Sequence, residues 1–330
     1  MIEKKGLSKQ IGSNNFYCAK GIAIISVIIA HLAVVGSNAE AFEKSLLPVF
    51  DRLGLFGVPV FFMLSGYFFF ENSDRILKFI KKKFLSILIP WITCSTLVFF
   101  ITSWFGTKNN SINCLNWLNF IIGNGSIYYF LPLLILFYII FWKARKFTDG
   151  IFIIALTLNF ISILYYNSFK TSFPYLNPMN WISFFSTGLF LRKYDLINKI
   201  INLTKAIFFF LLASLLTVLL YSVEIERNGF AYFKASSFAL EYLGIFLILF
   251  LSAYLCSDFL VNFVKISFSL YLLHLPAAGL INIECDRLKI ILPFKVILAL
   301  AGFYIAGLFL LKISEKINFI KILIGARNRH

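Results

Sequence analysis

Residues 16–36 read FYCAKGIAIISVIIAHLAVVG, an apolar run long enough to cross a bilayer as one helix. Two ionisable residues lie in this run, Lys20 near its start and His31 further along. His31 follows Lys20 by eleven positions, which is three helical turns plus roughly 20°, so both side chains lie on one stripe roughly 16 Å apart. Ionisable groups inside a membrane are costly and are usually kept for a function. We therefore expect this face of the helix to be directed away from lipid.

The composition excludes an ordinary soluble domain. Hydrophobic residues make up 60% of the 330 residues, whereas soluble domains contain roughly 45–50%. The formal net charge of +16 is divided among short basic clusters between apolar segments, which argues against a nucleic-acid-binding module. The composition predicts an all-α, polytopic integral membrane protein that contacts membrane lipids and no nucleic acid.

Ten apolar segments are predicted to cross the membrane as helices. They cover residues 16–36, 53–71, 84–105, 126–142, 150–166, 180–192, 205–223, 236–256, 262–282 and 292–312. With the N-terminus inside, the inner segments contain 22 of the 31 Lys and Arg residues, and the outer loops contain the other 9. This asymmetry follows the positive-inside rule and predicts two cytoplasmic termini. The transmembrane domain is then 1–312, followed by a short basic cytoplasmic tail at 313–330.

A cleaved signal peptide is an alternative interpretation of the N-terminus. Lysines precede the apolar run, and Ser37, Asn38 and Ala39 follow it as small residues before a potential cleavage site. Cleavage would remove His31. A retained first helix is favoured because polytopic proteins commonly keep their first span, and because the family pattern described below requires this histidine.

The cysteines show no metal-binding or disulfide pattern. Five are present, at positions 18, 94, 114, 256 and 285, with no CxxC motif and no metal-ligand spacing. Cys114 and Cys285 could meet on the same side of the membrane, but unpaired thiols are the expected state. We predict no metal site and no permanently bound cofactor.

A second polar stripe lies in SFSLYLLHLP, residues 267–276. Ser267, Tyr271 and His274 share one helical face there, and such a face points into the helix bundle. The three side chains could simply join helices by hydrogen bonds. However, His274 and His31 are two intramembrane histidines, and imidazole can accept and return a proton near neutral pH. His31, His274 and Tyr271 are therefore the candidate catalytic residues.

Three further positions are candidates for substrate contact or packing. Ser65 lies in the second span, where Gly57, Pro59 and Gly66 favour close helix packing. Glu241, about a turn inside the eighth span, could orient a histidine or an acceptor hydroxyl. A carboxylate that snorkels to the interface is the simpler interpretation of Glu241. The third position is Ser267, on the stripe described above.

The densest basic loop contains KKKFLSILIP, residues 81–90, on the predicted cytoplasmic side. Its lysines could set topology and contact anionic lipids. Alternatively, Lys81, Lys82 and Lys83 could bind the phosphates of a cytosolic substrate together with Lys20, although Lys20 could also be only a topology signal. The chain has no P-loop and no GxGxxG motif, so side chains would have to hold a nucleotide.

In this order, the segments resemble acyltransferase family 3, whose members are integral-membrane enzymes that modify envelope sugars. Lys20 and His31 match its Arg/Lys-x10-His motif, and VPVFFMLSGYFFF at 58–70 is similar to its second-helix motif. KKKFLSILIP resembles the basic loop of the family, which ends in proline. The stretch IYYFLPLL at 127–134 resembles the start of its fourth helix, and SFSLYLLHLP resembles its late motif of Ser, Tyr and His. The resemblance extends over essentially the whole chain.

Two positions depart from the family pattern. Tyr17 occupies a position that is often acidic in the family, three residues before the basic residue of the first helix. The RxxR motif of the loop is altered, with Lys83 in its first place and Ser86 in its last. Donor binding would be weaker or differently arranged unless Lys81 and Lys82 compensate.

The resemblance implies acyl transfer from acyl-CoA, most often acetyl-CoA, as the donor substrate. The acceptor would be a hydroxyl of an envelope sugar, such as that of lipopolysaccharide or capsule, or of its lipid-linked precursor, at the bacterial inner membrane. His31 would be the general base, while His274 and Tyr271 would orient the acceptor or stabilise the oxyanion. The acyl group could pass directly to the acceptor or through a covalent intermediate at His31 or Ser65, and the sequence does not distinguish these two mechanisms.

A transporter or flippase of lipid-linked or small amphiphilic molecules is the alternative, with the histidines as a proton relay. The absence of a visible internal repeat in the sequence counts against an inverted-repeat transporter. A membrane glycan polymerase or glycosyltransferase is the third candidate. Such enzymes usually have large outer loops with acidic or arginine residues, and the outer loops here are short.

Overall fold

The computed structural model describes residues 2–32, 41–71, 79, 83–105, 112–124, 126–165, 174–201, 205–225 and 233–317. All regular elements in these residues are helical and none is a strand, which confirms the all-α prediction. A helix satisfies its backbone hydrogen bonds within one segment, as an apolar chain in a bilayer requires.

The α-helices of the described residues differ widely in length. In chain order they are α1 Ile2–Leu32, α2 Ala41–Leu53, α3 Gly57–Glu71, α4 Ile89–Phe105, α5 Cys114–Ile122, α6 Phe130–Ala144, α7 Thr148–Leu164, α8 Ile182–Lys193, α9 Leu196–Ile201, α10 Lys205–Ile225, α11 Ala235–Tyr254, α12 Asp258–Arg287 and α13 Leu292–Lys316. A π-helical segment at Phe84–Leu88 precedes α4, and 3-10 turns join several other helices.

Seven helical stretches in the described residues are long and apolar enough to cross a membrane. They are Asn15–Leu32, Leu46–Phe69, Leu85–Trp104, Ile127–Ala144, Ala235–Tyr254, Ser267–Arg287 and Leu292–Lys316. The predicted fifth and sixth spans correspond to the shorter helices α7 and α8, and the seventh corresponds to the 21-residue helix α10, in which residues 207–219 are apolar. Seven of the ten predicted spans thus have the length and hydropathy of a full crossing. The cytoplasmic location of both termini stays a prediction.

The short helix α8 is buried along most of its length and packs against α3. Two glycines make this contact close. A Cβ atom at Gly188 would overlap the carbonyl oxygen of Met63, and one at Gly66 would overlap that of Phe185. In a bilayer, small residues allow helix backbones to approach and gain dispersion contacts. The helix predicted at 180–192 is therefore a central packing element in spite of its twelve residues.

Helix α5 lies in a loop for which the ten-span prediction gave no helix. It begins after Asn113, whose side-chain oxygen accepts a hydrogen bond from the Asn116 backbone N–H at 2.8 Å. It ends at Gly123, which has a φ of 95°. An asparagine N-cap and a left-handed glycine are ordinary helix boundaries, so the sequence carried a signal for this helix.

The ends of the chain only partly fall within the described residues. Helix α13 continues to Lys316, beyond the predicted domain boundary at 312, and the remainder of the tail from 318 lies outside them. The candidate cleavage site at Ser37, Asn38 and Ala39 also lies outside them. The cytoplasmic tail and the signal-peptide alternative both stay predictions.

A disulfide between Cys18 and Cys256 corrects the prediction that the thiols are unpaired. Cys18 belongs to α1, and Cys256 lies in the connection between α11 and α12, 238 residues later. Cysteine spacing gave no sign of this pair because the two residues meet only when α1 packs against α11 and α12. Cys114 and Cys285, considered as a possible pair, are not bonded to each other, and neither they nor Cys94 belong to a disulfide.

We expect alkylation of the unfolded, unreduced protein to label Cys94, Cys114 and Cys285, and reduction to add Cys18 and Cys256. Peptide mass spectrometry under both conditions measures this. In Cys18→Ser, Cys256 should become reactive without reduction, which serves as the control. Labelling of all five cysteines in the unreduced wild type would show that the bond does not form.

Candidate functional site

The two intramembrane histidines lie next to each other. His31 is in the last turn of α1, and His274 is in the middle of α12, which packs along α1. Their ring centroids are 4.8 Å apart, and the ring planes are inclined by 51°. The His274 side chain is fully buried, whereas His31 is partly buried. The fold thus brings together two imidazoles that are 243 residues apart in the sequence (274 − 31).

Hydrogen bonds to the backbone of α12 assign the tautomer of His274. Its Nδ1 lies 2.7 Å from the Tyr271 carbonyl oxygen and 3.1 Å from the Leu270 carbonyl oxygen. Carbonyl oxygens only accept hydrogen bonds, so Nδ1 carries the proton and donates it. In the neutral ring the lone pair is therefore on Nε2, which is buried and has no hydrogen-bond partner among the described residues. His274 can accept a proton or a hydrogen bond at this atom.

A reciprocal pair of tyrosine hydrogen bonds holds the His274 segment in place. The Tyr128 hydroxyl donates to the Leu272 carbonyl oxygen at 2.7 Å, and the Tyr271 hydroxyl donates to the Ile127 carbonyl oxygen. Pro276 explains the first bond, because it has no N–H to offer to the carbonyl four residues earlier, that of Leu272. In hydrocarbon an unsatisfied carbonyl is costly, and the Tyr128 hydroxyl replaces the missing helical donor.

Tyr271 and Ser267 share a helical face with His274, but their hydroxyl protons are already engaged. The Tyr271 ring centroid lies 5.9 Å from that of His274, while its hydroxyl donates to the Ile127 carbonyl. The Ser267 hydroxyl donates to the Val264 carbonyl of its own helix at 2.9 Å. In this structure Tyr271 therefore positions the histidine segment, and Ser267 does not contact the imidazole pair.

Glu241 does not snorkel to the interface, contrary to the simpler sequence interpretation. It is 2% exposed, and its Oε1 has no hydrogen-bond partner among the described residues. Helix α11 places it in the interior because Gly244, one turn later on the same face, packs against the Phe56 ring. Ser65 is partly buried in α3, one residue before the close contact at Gly66.

Three cations have aromatic neighbours on or next to residues 67–69 of α3. The Tyr138 ring, which faces Lys83, lies 5.2 Å from the Phe69 ring between centroids. Lys20 Nζ lies 4.7 Å from the Phe68 ring centroid, within cation–π distance. Lys83 Nζ donates to the Tyr138 hydroxyl at 3.0 Å and lies 4.9 Å from the centroid of that ring. The predicted phosphate ligands Lys81 and Lys82 lie outside the described residues.

Arg192 is the third cation, and it is not among the site residues predicted from the sequence. It lies in the last turn of α8, donates from NH1 to the Tyr67 hydroxyl at 3.0 Å, and stacks 5.1 Å from the Tyr67 ring centroid. Tyr67 contacts Phe68, which faces Lys20, at 5.6 Å between centroids. The available signal was a basic pair, Arg192 and Lys193, directly after an apolar run, which is also an ordinary topology signal.

We call Lys20, Tyr67, Phe68, Lys83, Tyr138 and Arg192 the cation–aromatic cluster. The tyrosines and the phenylalanine restrict the conformations of three cationic side chains from different parts of the chain. Along α1, Lys20 and His31 are separated by roughly 16 Å. The described residues contain no group of three or more His, Cys, Asp or Glu that could hold a metal ion.

Replacing Tyr128 by phenylalanine should destabilise the protein because the Leu272 carbonyl would lose its donor next to Pro276. An unsatisfied buried carbonyl costs about 1–3 kcal/mol. We expect the melting temperature of the detergent-solubilised protein to fall by several degrees. Tyr221→Phe is the matched control, since Tyr221 is 57% exposed. Equal melting temperatures for the two variants would contradict the role of the Tyr128 hydroxyl.

Comparison with known protein families gives one match. A family model described as an acyltransferase domain, that of acyltransferase family 3, matches residues 14–311 of the 330. The matched region includes both histidines and the cation–aromatic cluster. The chain matches none of the curated proteins and none of the solved structures with which it was compared.

Proposed function

The chain belongs to acyltransferase family 3, and from this premise we propose that it transfers an acetyl group from cytosolic acetyl-CoA to a sugar hydroxyl. The acceptor is an envelope polysaccharide or its lipid-linked precursor, and the protein acts in the bacterial inner membrane. The single observation that carries this proposal is the contact of His31 and His274 inside a membrane-spanning bundle, with an unpartnered Nε2 on His274.

His31 is the proposed general base. A sugar hydroxyl is a weak nucleophile at neutral pH, so a base that removes its proton and a site that orients it both accelerate the attack. The oxygen attacks the thioester carbonyl, the hydroxyl proton moves to His31, and the C–S bond then breaks. The departing CoA sulfur takes the proton from the imidazolium, which returns His31 to its neutral form.

His274 is the proposed partner of the base. Because its Nδ1–H is held by the backbone of α12, its Nε2 can accept a hydrogen bond from the N–H of His31. Such a bond would fix the tautomer of His31 and stabilise its imidazolium form, as a carboxylate does in a Ser-His-Asp triad. The rings are not hydrogen bonded in this structure, and catalytic hydrogen bonds are often longer before substrate binds.

The cation–aromatic cluster is the proposed donor site. Lys20, Lys83 and Arg192 supply three positive charges for the CoA phosphates, and Arg192 adds a planar group suited to two hydrogen bonds with one phosphate. Lys81 and Lys82 are adjacent in the sequence and are proposed to contribute further charge. The extended pantetheine arm would cover the roughly 16 Å from Lys20 to His31 along α1.

Cells that lack the protein should lose an acetyl-sized mass from a surface glycan, and the wild-type gene should restore it. We expect His31→Ala and His274→Asn at matched membrane levels not to restore it, since general acid–base catalysis contributes roughly 10²–10⁴-fold. Asparagine at 274 can still donate near the Nδ1 position but lacks Nε2. Glycan mass spectrometry and transfer from labelled acetyl-CoA in membrane vesicles are the measurements.

If His31→Ala restores the acetyl-sized mass, His31 is not the general base, although the proposed acetyl transfer still takes place. Full activity of His274→Asn would show that Nε2 is not needed. If the glycan mass is unchanged in all strains and a precursor accumulates on one side of the membrane, the protein is a transporter and the proposal fails.

For Arg192 we expect a defect in donor binding. Arg192→Gln should raise the KM for acetyl-CoA about ten-fold with a small change in kcat, because a hydrogen bond to a charged group contributes about 1.5–3 kcal/mol. Arg192→Lys should recover part of the affinity. The matched control is Arg287→Gln, since the Arg287 side chain is 79% exposed at the far end of α12. A lower kcat with unchanged KM in Arg192→Gln would place Arg192 outside the donor site.

A further inference from the structure

A groove that the proposed reaction does not use lies between α7, α8, α9 and α11. Its volume is about 500 Å³, and an adjoining hollow of about 310 Å³ shares Leu156 and Phe238 with it. Phe152, Phe190 and Phe246 contribute further apolar walls. The volume is in the range of ordinary ligand sites, and the lining is suited to a hydrocarbon chain.

The dimensions of the groove match one leaflet of a bilayer. Together the groove and the adjoining hollow extend along α7 from Phe152 to Phe160, which is roughly 12 Å at the rise of an α-helix. The hydrocarbon core of a bilayer is about 30 Å thick, so each leaflet contributes about half of that. The lining hydroxyls of Thr187 and Tyr242 are 3.2 Å apart and bond to each other, which leaves hydrocarbon as the main surface.

One charged residue, Lys199 of α9, lines the groove with its aliphatic chain, and the residue is exposed. It lies toward the end that the charge distribution assigns to the cytoplasm, where Lys193 and Asp149 form an ion pair at 2.7 Å. The hydrogen bond from Lys193 keeps the pKa of Asp149 below its ordinary value, so this pair is internally neutralised. No ion pair joins Lys199 to a carboxylate in the described part of the chain.

We propose that the groove binds one anionic phospholipid of the cytoplasmic leaflet, with an acyl chain along α7 and the headgroup phosphate at Lys199. Anionic lipids are concentrated in this leaflet, and basic residues between helices on the cytoplasmic side bind their headgroups. The groove supplies the apolar surface and Lys199 supplies the complementary charge. This site is separate from the acyl-transfer chemistry, and its occupancy does not depend on acyl-CoA.

Native mass spectrometry tests the proposal with phosphatidylglycerol and phosphatidylethanolamine that carry the same acyl chains. We expect the wild type to retain one phosphatidylglycerol in preference to phosphatidylethanolamine. Leu156→Trp, which fills the groove, should remove this bound lipid, whereas Ile153→Trp should keep it because Ile153 is 64% exposed on the same helix. Both variants should elute as single symmetric peaks in size-exclusion chromatography.

The exposed Lys199 provides a variant that leaves the packing intact. Lys199→Gln should reduce the preference for phosphatidylglycerol about five-fold, the effect of one basic residue at an anionic surface. Lys146→Gln, an exposed lysine before α7, should leave the preference unchanged. Equal retention of the two lipids by the wild type, or retention by Leu156→Trp equal to that of Ile153→Trp, would overturn the proposal. Displacement of phosphatidylglycerol by a polyprenyl phosphate added in equal amount would overturn the assignment of the occupant.

Discussion

Inside a bilayer every backbone carbonyl needs a donor, and Pro276 removes the one that a regular helix would give to Leu272. The Tyr128 hydroxyl supplies the replacement and thereby ties the segment at Ile127–Tyr129 to the middle of α12. Tyr271 forms the reciprocal bond to Ile127. The orientation of His274 depends on this arrangement, since its Nδ1 bonds to the carbonyl of the same Tyr271. The proline is therefore as much a part of the site as the histidine.

Helix α1 connects the two regions to which chemistry is assigned. Near the middle of α1 Lys20 lies beside Phe68, and in its last turn His31 lies beside His274. The disulfide of Cys18 joins α1 to the start of α12, close to Lys20 in the sequence. Because α12 also carries His274, the packing of these two helices sets both the distance between the histidines and the distance from His274 to Lys20. A rigid helix pair of this kind can hold reactive groups at a constant distance within the membrane.

Much of the fold and of the site could be predicted from the sequence, because a bilayer restricts which segments can cross it and where charged residues lie. Apolar runs and the Lys and Arg asymmetry predicted the helices, and a polar residue in an apolar helix predicted an inward face. The eleven-residue spacing placed Lys20 and His31 on one stripe, and the ordered motifs indicated the family that the match over residues 14–311 then showed. Whether α7 and α8 cross the membrane completely could not be predicted from the sequence, because apolar composition does not distinguish a full crossing from a short buried helix.

The amino-acid sequence is sufficient to identify an all-helical membrane protein of acyltransferase family 3 with two intramembrane histidines. The tertiary structure decided which groups meet: His31 with His274, Cys18 with Cys256, and Arg192 with Tyr67. It also decided that Tyr271 bonds to a backbone carbonyl and that Glu241 is buried. The reason is physical: periodicity assigns a residue to a face of its own helix, whereas the partner of that face depends on how distant helices pack.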